Sequence, residues 1–284
     1  MKIYYHSDDA CLTKSSTEKI LSCWENGFID GFSVLANASL LPIVQQSIRQ
    51  NTHLPVRLSI HLNLTDFSAV SSPDNVSLLT DKQGRFKVGF IKALQIHLWG
   101  GKRREIFIEQ VWREWDAQIN LVKSQLRPSH IVALDSHNYI HMVPCLFRVI
   151  SDLSEKHDVP FIRVPNEPFY ISEWKHFFHG YFVGNLLKFT LMKLLVKMNK
   201  ANKYNKRQES MGILYSGNMF HENIISGLEK AAKRNFASIE VVLHVGKSHT
   251  EELLGNIERQ SAFRFFTSEK RDKELDAVKQ MKHE

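Results

Sequence analysis

Short apolar and β-branched runs alternate along this chain with longer stretches whose apolar positions recur at helical spacing. Residues 2–6 read as a first strand, and a helix follows over residues 16–25 with Ser16 able to cap it. Residues 31–36 form a second short strand that leads into helical periodicity through Ile48, and residues 56–64 alternate as a third. A turn-rich stretch with Ser71, Ser72, Pro73 and Asp74 precedes the turn at residues 81–84. Helical period returns over residues 105–125 and is stopped by Pro128. Residues 131–134 and 160–164 read as the fourth and fifth strands, with a helix after Pro144 between them. Residues 212–215 and 238–243 complete the set around a helix at 222–234. Such alternation predicts an α/β fold on a parallel sheet, open or closed into a barrel.

Composition narrows this little. The 284 residues are 43% hydrophobic and 24% charged, which excludes a disordered or collagenous chain. We read residues 1–267 as one α/β domain carrying a basic insertion at 181–207, with 268–284 as a charged helix or tail. The apolar run at 181–198 is broken by Lys188, Lys193 and Lys197, so no clean membrane span is expected. The N-terminus turns acidic by Asp8, unlike a secretory signal, and Cys11, Cys23 and Cys145 suit reduced thiols. Both features favour the cytoplasm.

Charge changes the picture more. The formal net charge is +7, and residues 181–207 hold seven cations and no acid, the whole of that excess. On a helical wheel those cations share one half, opposite Leu187, Leu191, Leu194, Leu195 and Met198. This fits a basic amphipathic helix lying on an anionic membrane at its inner face, or a surface helix packed on its own domain. A single basic stripe without interleaved aromatics gives no reason to expect nucleic acid.

Candidate chemistry sits just after the predicted strands. His6-Ser7-Asp8-Asp9 follows the first, His61 and Asn63 end the third, and Asp135-Ser136-His137-Asn138-Tyr139-Ile140-His141 follows the fourth. In parallel α/β folds the carboxyl ends of strands carry ligands and catalytic groups, so these segments can converge. One carboxylate with two imidazoles makes an open site for Zn²⁺ or a similar ion.

These segments resemble the motifs of the YdjC-like carbohydrate deacetylases. The family's NADDFGxS is matched by His6-Ser7-Asp8-Asp9-Ala10-Cys11-Leu12-Thr13, and its GxHxNLT by Ser59-Ile60-His61-Leu62-Asn63-Leu64-Thr65. Its THxDSHxHxHxxP is similar to the run from Ser129 through Asp135, Ser136, His137 and His141 to Pro144. Weaker echoes are Glu114-Trp115-Asp116-Ala117-Gln118, Ile162-Arg163, Gly212-Ile213-Leu214-Tyr215-Ser216-Gly217 and Glu240-Val241-Val242-Leu243-His244-Val245-Gly246. Ala10-Cys11 replaces Phe-Gly, Tyr139 stands where the family has its middle His, and Val245 replaces a Pro.

The resemblance implies a distorted (β/α) barrel with helices outside and the active site at the strands' C-terminal ends. It implies metal-dependent removal of an acetyl group from an N-acetylated sugar. Asp9, His61 and His137 become the expected ligands of a divalent ion, Zn²⁺ first, with Mg²⁺, Mn²⁺, Co²⁺ and Ni²⁺ as alternatives. Asp8 becomes the base. His141 and His244 both qualify as the general acid, one lying four residues beyond His137 and the other ending the last strand. Arg163 pairs with Asp8 or orients substrate, Asp135 braces a ligand, and Tyr139 lies on the substrate side. The basic segment adds a glycolipid or lipid-linked sugar to the expected substrates. Two other classes remain open: a metal-dependent phosphoester hydrolase, and a non-catalytic peripheral membrane protein with a degenerate site.

Overall fold

The computed structural model describes residues 1–174, 179–204, 208–234, 236–257 and 259–283. In chain order the elements are β1 (Lys2–Ala10), α1 (Lys14–Glu25), β2 (Gly31–Val34), α2 (Leu41–Gln50), β3 (Arg57–Leu62), α3 (Phe90–Trp99) and α4 (Gly101–Gln125). They continue with β4 (Ile131–Ser136), α5 (Pro144–Lys156), β5 (Phe161–Ile162), α6 (Gly180–Met198), β6 (Gln208–Met211) and α7 (His221–Ala232). The last are β7 (Ser238–Leu243), α8 (Thr250–Leu253), α9 (Gln260–Phe266) and α10 (Lys270–His283).

All strand pairs are parallel, in the order β5-β4-β3-β2-β1-β7-β6. The sheet curls into a half-barrel with helices around it, the α/β fold the sequence predicts. Its two edges approach without pairing. Ser210 Oγ on β6 donates to the Val164 carbonyl just past β5 at 3.0 Å, and residues of both edges line one narrow crevice. Strands covered on both faces need apolar residues throughout, and β2 is buried along its whole length. Gly31 is required there, because a Cβ would fall 1.9 Å from the Arg57 carbonyl oxygen.

Several boundaries differ from the pattern. The cap of α1 is Thr13, whose hydroxyl accepts from the Ser16 amide at 3.3 Å, rather than Ser16. α3 was hidden because its run is apolar on nearly every side, and Gly100 and Gly101, both at positive φ, separate it from α4. The strand expected at 212–215 is instead a loop, and β6 lies just before it in the polar run Gln208-Glu209-Ser210-Met211. Buried Glu167 takes the amides that a neighbouring strand would have taken, accepting from Gly212, Ile213 and Leu214 at 2.6, 3.1 and 2.7 Å. The C-terminal run is α10, which buries Arg271, Glu274, Leu275, Ala277 and Val278.

α6 packs on the domain through a face the charge wheel did not identify. Phe182, Phe189, Met192, Leu195 and Val196 are buried, with the Phe182 ring 5.4 Å from that of Tyr215. Aromatic residues therefore take the core side, and Leu187, Leu194 and Met198 point outward. The cations divide as well: Lys197 and Lys200 are exposed, whereas Lys193 donates to Asn166 Oδ1 at 2.5 Å. Lys206 and Arg207 lie outside the described residues. Among the described residues no helix is long and apolar enough to cross a membrane.

Candidate active site

An undisturbed strand would send Asp8 and Asp9 to opposite faces of the sheet. Here the β1–β2 register shifts between Ser7 and Ala10, and Asp9 takes a left-handed backbone at φ 69°. Such irregularities re-aim side chains next to active sites. As a result both carboxylates line one pocket of about 430 Å³ at the C-terminal ends of the strands. His61 arrives from the end of β3. His137 arrives just beyond β4, on a short 3₁₀ segment at 137–142 where Asn138 and Tyr139 also have positive φ.

Asp9, His61 and His137 are buried together, with one potential ligand atom of each within 4.8 Å of the others. Asp9 Oδ1 lies 2.8 Å from His137 Nδ1 and 3.4 Å from His61 Nε2. Each imidazole meets a second carboxylate at its other nitrogen. His61 Nδ1 is 2.8 Å from Asp135 Oδ1, and His137 Nε2 is 3.3 Å from Asp66 Oδ2. Carboxylates placed this way fix the tautomer and orientation of a metal-binding imidazole. Burial would lower the His61 imidazole, but the fields of Asp135 and Asp8 and bonds to Asp135 and Asp9 outweigh it and raise it to about 10. The surrounding carboxylates thus favour a cation here, and this donor set fits a divalent one.

Beneath it lies a second group with the same residue types. His6, Asp8 and Asp135 also come within 4.8 Å of one another. Arg163 already supplies the positive charge there. Its Nη1 is 2.7 Å from Asp8 Oδ1 and 2.6 Å from Asp135 Oδ2, and its Nε is 2.7 Å from Glu240 Oε2. Ser33 Oγ joins the same network at 3.1 Å from Asp8 and 2.5 Å from Asp135. Arg163 is buried and outside the pocket wall, so it pairs with Asp8 rather than facing a substrate.

Burial lowers both candidate acids, and it is their contacts that separate them. His141 accepts from Ser136 Oγ through Nδ1 at 2.5 Å and donates from Nε2 to the Arg163 carbonyl at 3.0 Å. Both nitrogens are engaged, and burial pushes the ring down to about 4. His244 lines the pocket, with Nε2 4.0 Å from Asp9 Oδ2 and Nδ1 without a hydrogen-bond partner among the described residues. Glu274, reaching across from α10, holds the His244 amide at 2.8 Å. Tyr139 lines the pocket wall.

Other residues at the site were not singled out from sequence. Asp66 directly follows the matched His61–Thr65 run and pairs with Arg259, which also lines the pocket. Lys188, counted among the surface cations by the wheel, is a wall residue with its Nζ 5.4 Å from the Tyr139 ring centroid. Asn185 stands one turn before it on α6 and donates to the Leu214 and Ser216 carbonyls.

A family model described as YdjC-like protein matches residues 2–282. The chain belongs to the YdjC-like family. Its similarity to curated relatives is lower and partial. A carbohydrate deacetylase of Thermoanaerobacter pseudethanolicus is 24% identical over 161 residues, covering 56% of this chain and 59% of that protein. One from Brevibacillus brevis is 30% identical over 166 residues, 58% of this chain and 60% of its own length. The matched region therefore spans about three-fifths of the relatives. Among solved structures, a candidate cellobiose-phosphate cleavage protein from Enterococcus faecalis V583 superposes with a TM-score of 0.67 at 18% identity. That match covers 98% of this chain and 94% of the other, and it shows a shared fold.

Proposed function

We propose that this YdjC-like protein is a metal-dependent deacetylase that hydrolyses the acetamido group of an N-acetylated sugar. The observation that carries the reading is the Asp9–His61–His137 cluster, which sits in an open pocket beside an Arg-anchored carboxylate and a free imidazole. The carbohydrate deacetylases among the relatives support the reaction class.

Asp9, His61 and His137 would hold the ion, with Zn²⁺ favoured by the Asp/His₂ set and Mg²⁺, Mn²⁺, Co²⁺ or Ni²⁺ as alternatives. Bound there, a divalent ion supplies a more acidic water and polarises the amide carbonyl. Asp8 takes the proton of the attacking water. Arg163 and Ser33 both bond its Oδ1, which fixes the carboxylate and leaves Oδ2 for the proton. His244 gives a proton to the departing amine, so that the C–N bond breaks to acetate and a free amino sugar. His141, locked by two hydrogen bonds, holds the segment that carries His137 and takes no part in proton transfer. Asp135 and Asp66 orient the two ligand imidazoles, and Tyr139 contacts the sugar.

A phosphoester hydrolase with two metals is disfavoured, because the only second Asp/His group among the described residues is filled by Arg163. The test is acetate release by the metal-loaded protein from a panel of N-acetylated sugars, free and lipid-linked, with phosphate release from phosphosugars measured in parallel. Acetate from any acetylated sugar supports the assignment; phosphate alone overturns it.

A further inference from the structure

α3 and α6 come from remote parts of the chain, yet both pack against the 137–142 segment that carries His137. Both also expose large apolar side chains. On α3, Ile91, Leu98 and Trp99 are 72%, 71% and 72% exposed, and on α6 Leu187 is 70% exposed with Leu194 and Met198 beside it. Isolated exposed leucines are ordinary, but two helices bordering one site with such faces mark an interaction surface.

The sequence at both helices is rich in cations. No acid occurs from residue 82 to 104, which holds seven cations, and none occurs from 174 to 207. Lys102, Arg103 and Arg104 occupy the first turn of α4, where the helix dipole disfavours cations and no acid compensates. Partial burial, Lys87 and Arg103 together lower the Lys92 ammonium, and Arg104 and Arg148 add to burial in lowering His97. Arg85 is paired with Asp81, and the cations nearest α3 act on Lys92 and His97. At the other helix, Asn199 ties the end of α6 to the Met142 carbonyl at 2.8 Å, which places exposed Lys197 and Lys200 at the same segment.

We propose that α3 and α6 together form a docking face for an anionic lipid surface, seating the pocket mouth over a sugar carried by that surface. Apolar side chains including a Trp, ringed by cations, match the interfacial layer of a bilayer in both polarity and charge. The lipid-carried substrate rests on the deacetylase reading; the docking itself does not.

Co-sedimentation of the 284-residue protein with vesicles tests it. One set is pure phosphatidylcholine and the other is phosphatidylcholine mixed with phosphatidylglycerol. Binding is expected on the mixed vesicles, weaker on the neutral ones, and reduced by salt. At about fivefold per lysine, the double variant Lys197→Gln, Lys200→Gln should bind about 25-fold more weakly. Leu98→Ser with Trp99→Ser leaves α6 untouched and should cost about tenfold or more. None of these positions lines the pocket, and unchanged thermal unfolding confirms the fold. Absence of binding to the mixed vesicles, or binding indifferent to the α3 variant, overturns the two-helix face. A dimer in sedimentation velocity that dissociates on Leu98→Ser and Trp99→Ser overturns it too, since a second copy would then cover the face. Acetate release from a soluble acetylated sugar, unaffected by these variants, reports separately on the deacetylase reading.

Discussion

The cluster of His6, Asp8, Asp135 and Glu240 and the cluster of Asp9, His61, His137 and Asp66 draw on the same residue types from neighbouring strands. Arg163 completes the first, with its guanidinium against three carboxylates. The second has no guanidinium or ammonium among the described residues at its centre, and Arg259 sits at the rim on Asp66. Asp135 joins the two, bonding Arg163 on one oxygen and His61 on the other. The difference teaches that carboxylate and imidazole content alone does not mark a metal site. What would mark one is a buried carboxylate flanked by two imidazoles with no permanent cation among the described residues at its centre.

The largest effect should come from the residue at the boundary between the clusters. Asp8→Asn keeps the three ligands but removes the proton acceptor, so turnover should fall by about 10²–10⁴ while metal content stays full. Metal loss in this variant would place Asp8 among the ligands and erase the distinction between the groups.

Breaking the finished cluster should cost stability instead. Arg163→Met strands Asp8, Asp135 and Glu240 as buried carboxylates without their cation, at about 3–5 kcal/mol in denaturant unfolding. A loss under about 1 kcal/mol would mean that water or protonation replaces Arg163 readily, as at an exposed pair.

His141 gives a third expectation, through pH. Its imidazole binds a proton near 6.5 when unfolded and only near 4 when folded. The unfolded state therefore gains protons first, and stability should decline as pH falls from about 6.5 toward 4, by about 3 kcal/mol in all. His141→Gln should flatten that part of the profile. An unchanged slope would show that the ring is already charged in the fold, contrary to its bonds with Ser136 and Arg163.

The smallest effects concern the carboxylates behind the ligands. Asp66→Asn or Asp135→Asn should each weaken metal binding by about 10–100-fold by loosening one imidazole. Equal affinity in both variants and the parent would remove these carboxylates from any part in holding the ion.

Much of this was legible in the sequence where chemistry follows a strand. β1, β3 and β4 each carry their polar residues at the C-terminal end, and parallel pairing brings those ends together. Asp66, Lys188 and Arg259 were not legible, because their approach depends on the path of loops and on how α6 packs. The choice between His141 and His244 depends on hydrogen bonds to Ser136 and to the Arg163 carbonyl, which no spacing reveals. β6 was misplaced because two of its three buried positions are polar, and Glu209 and Ser210 look like a surface loop to any hydropathy rule.

The central claim is that the incomplete cluster takes a divalent ion and the complete one does not. Calorimetric titration of Zn²⁺ into metal-stripped protein tests this most directly. One site per chain is expected, lost in His137→Ala and retained in His6→Ala. Full binding by His137→Ala, or loss confined to His6→Ala, would contradict it.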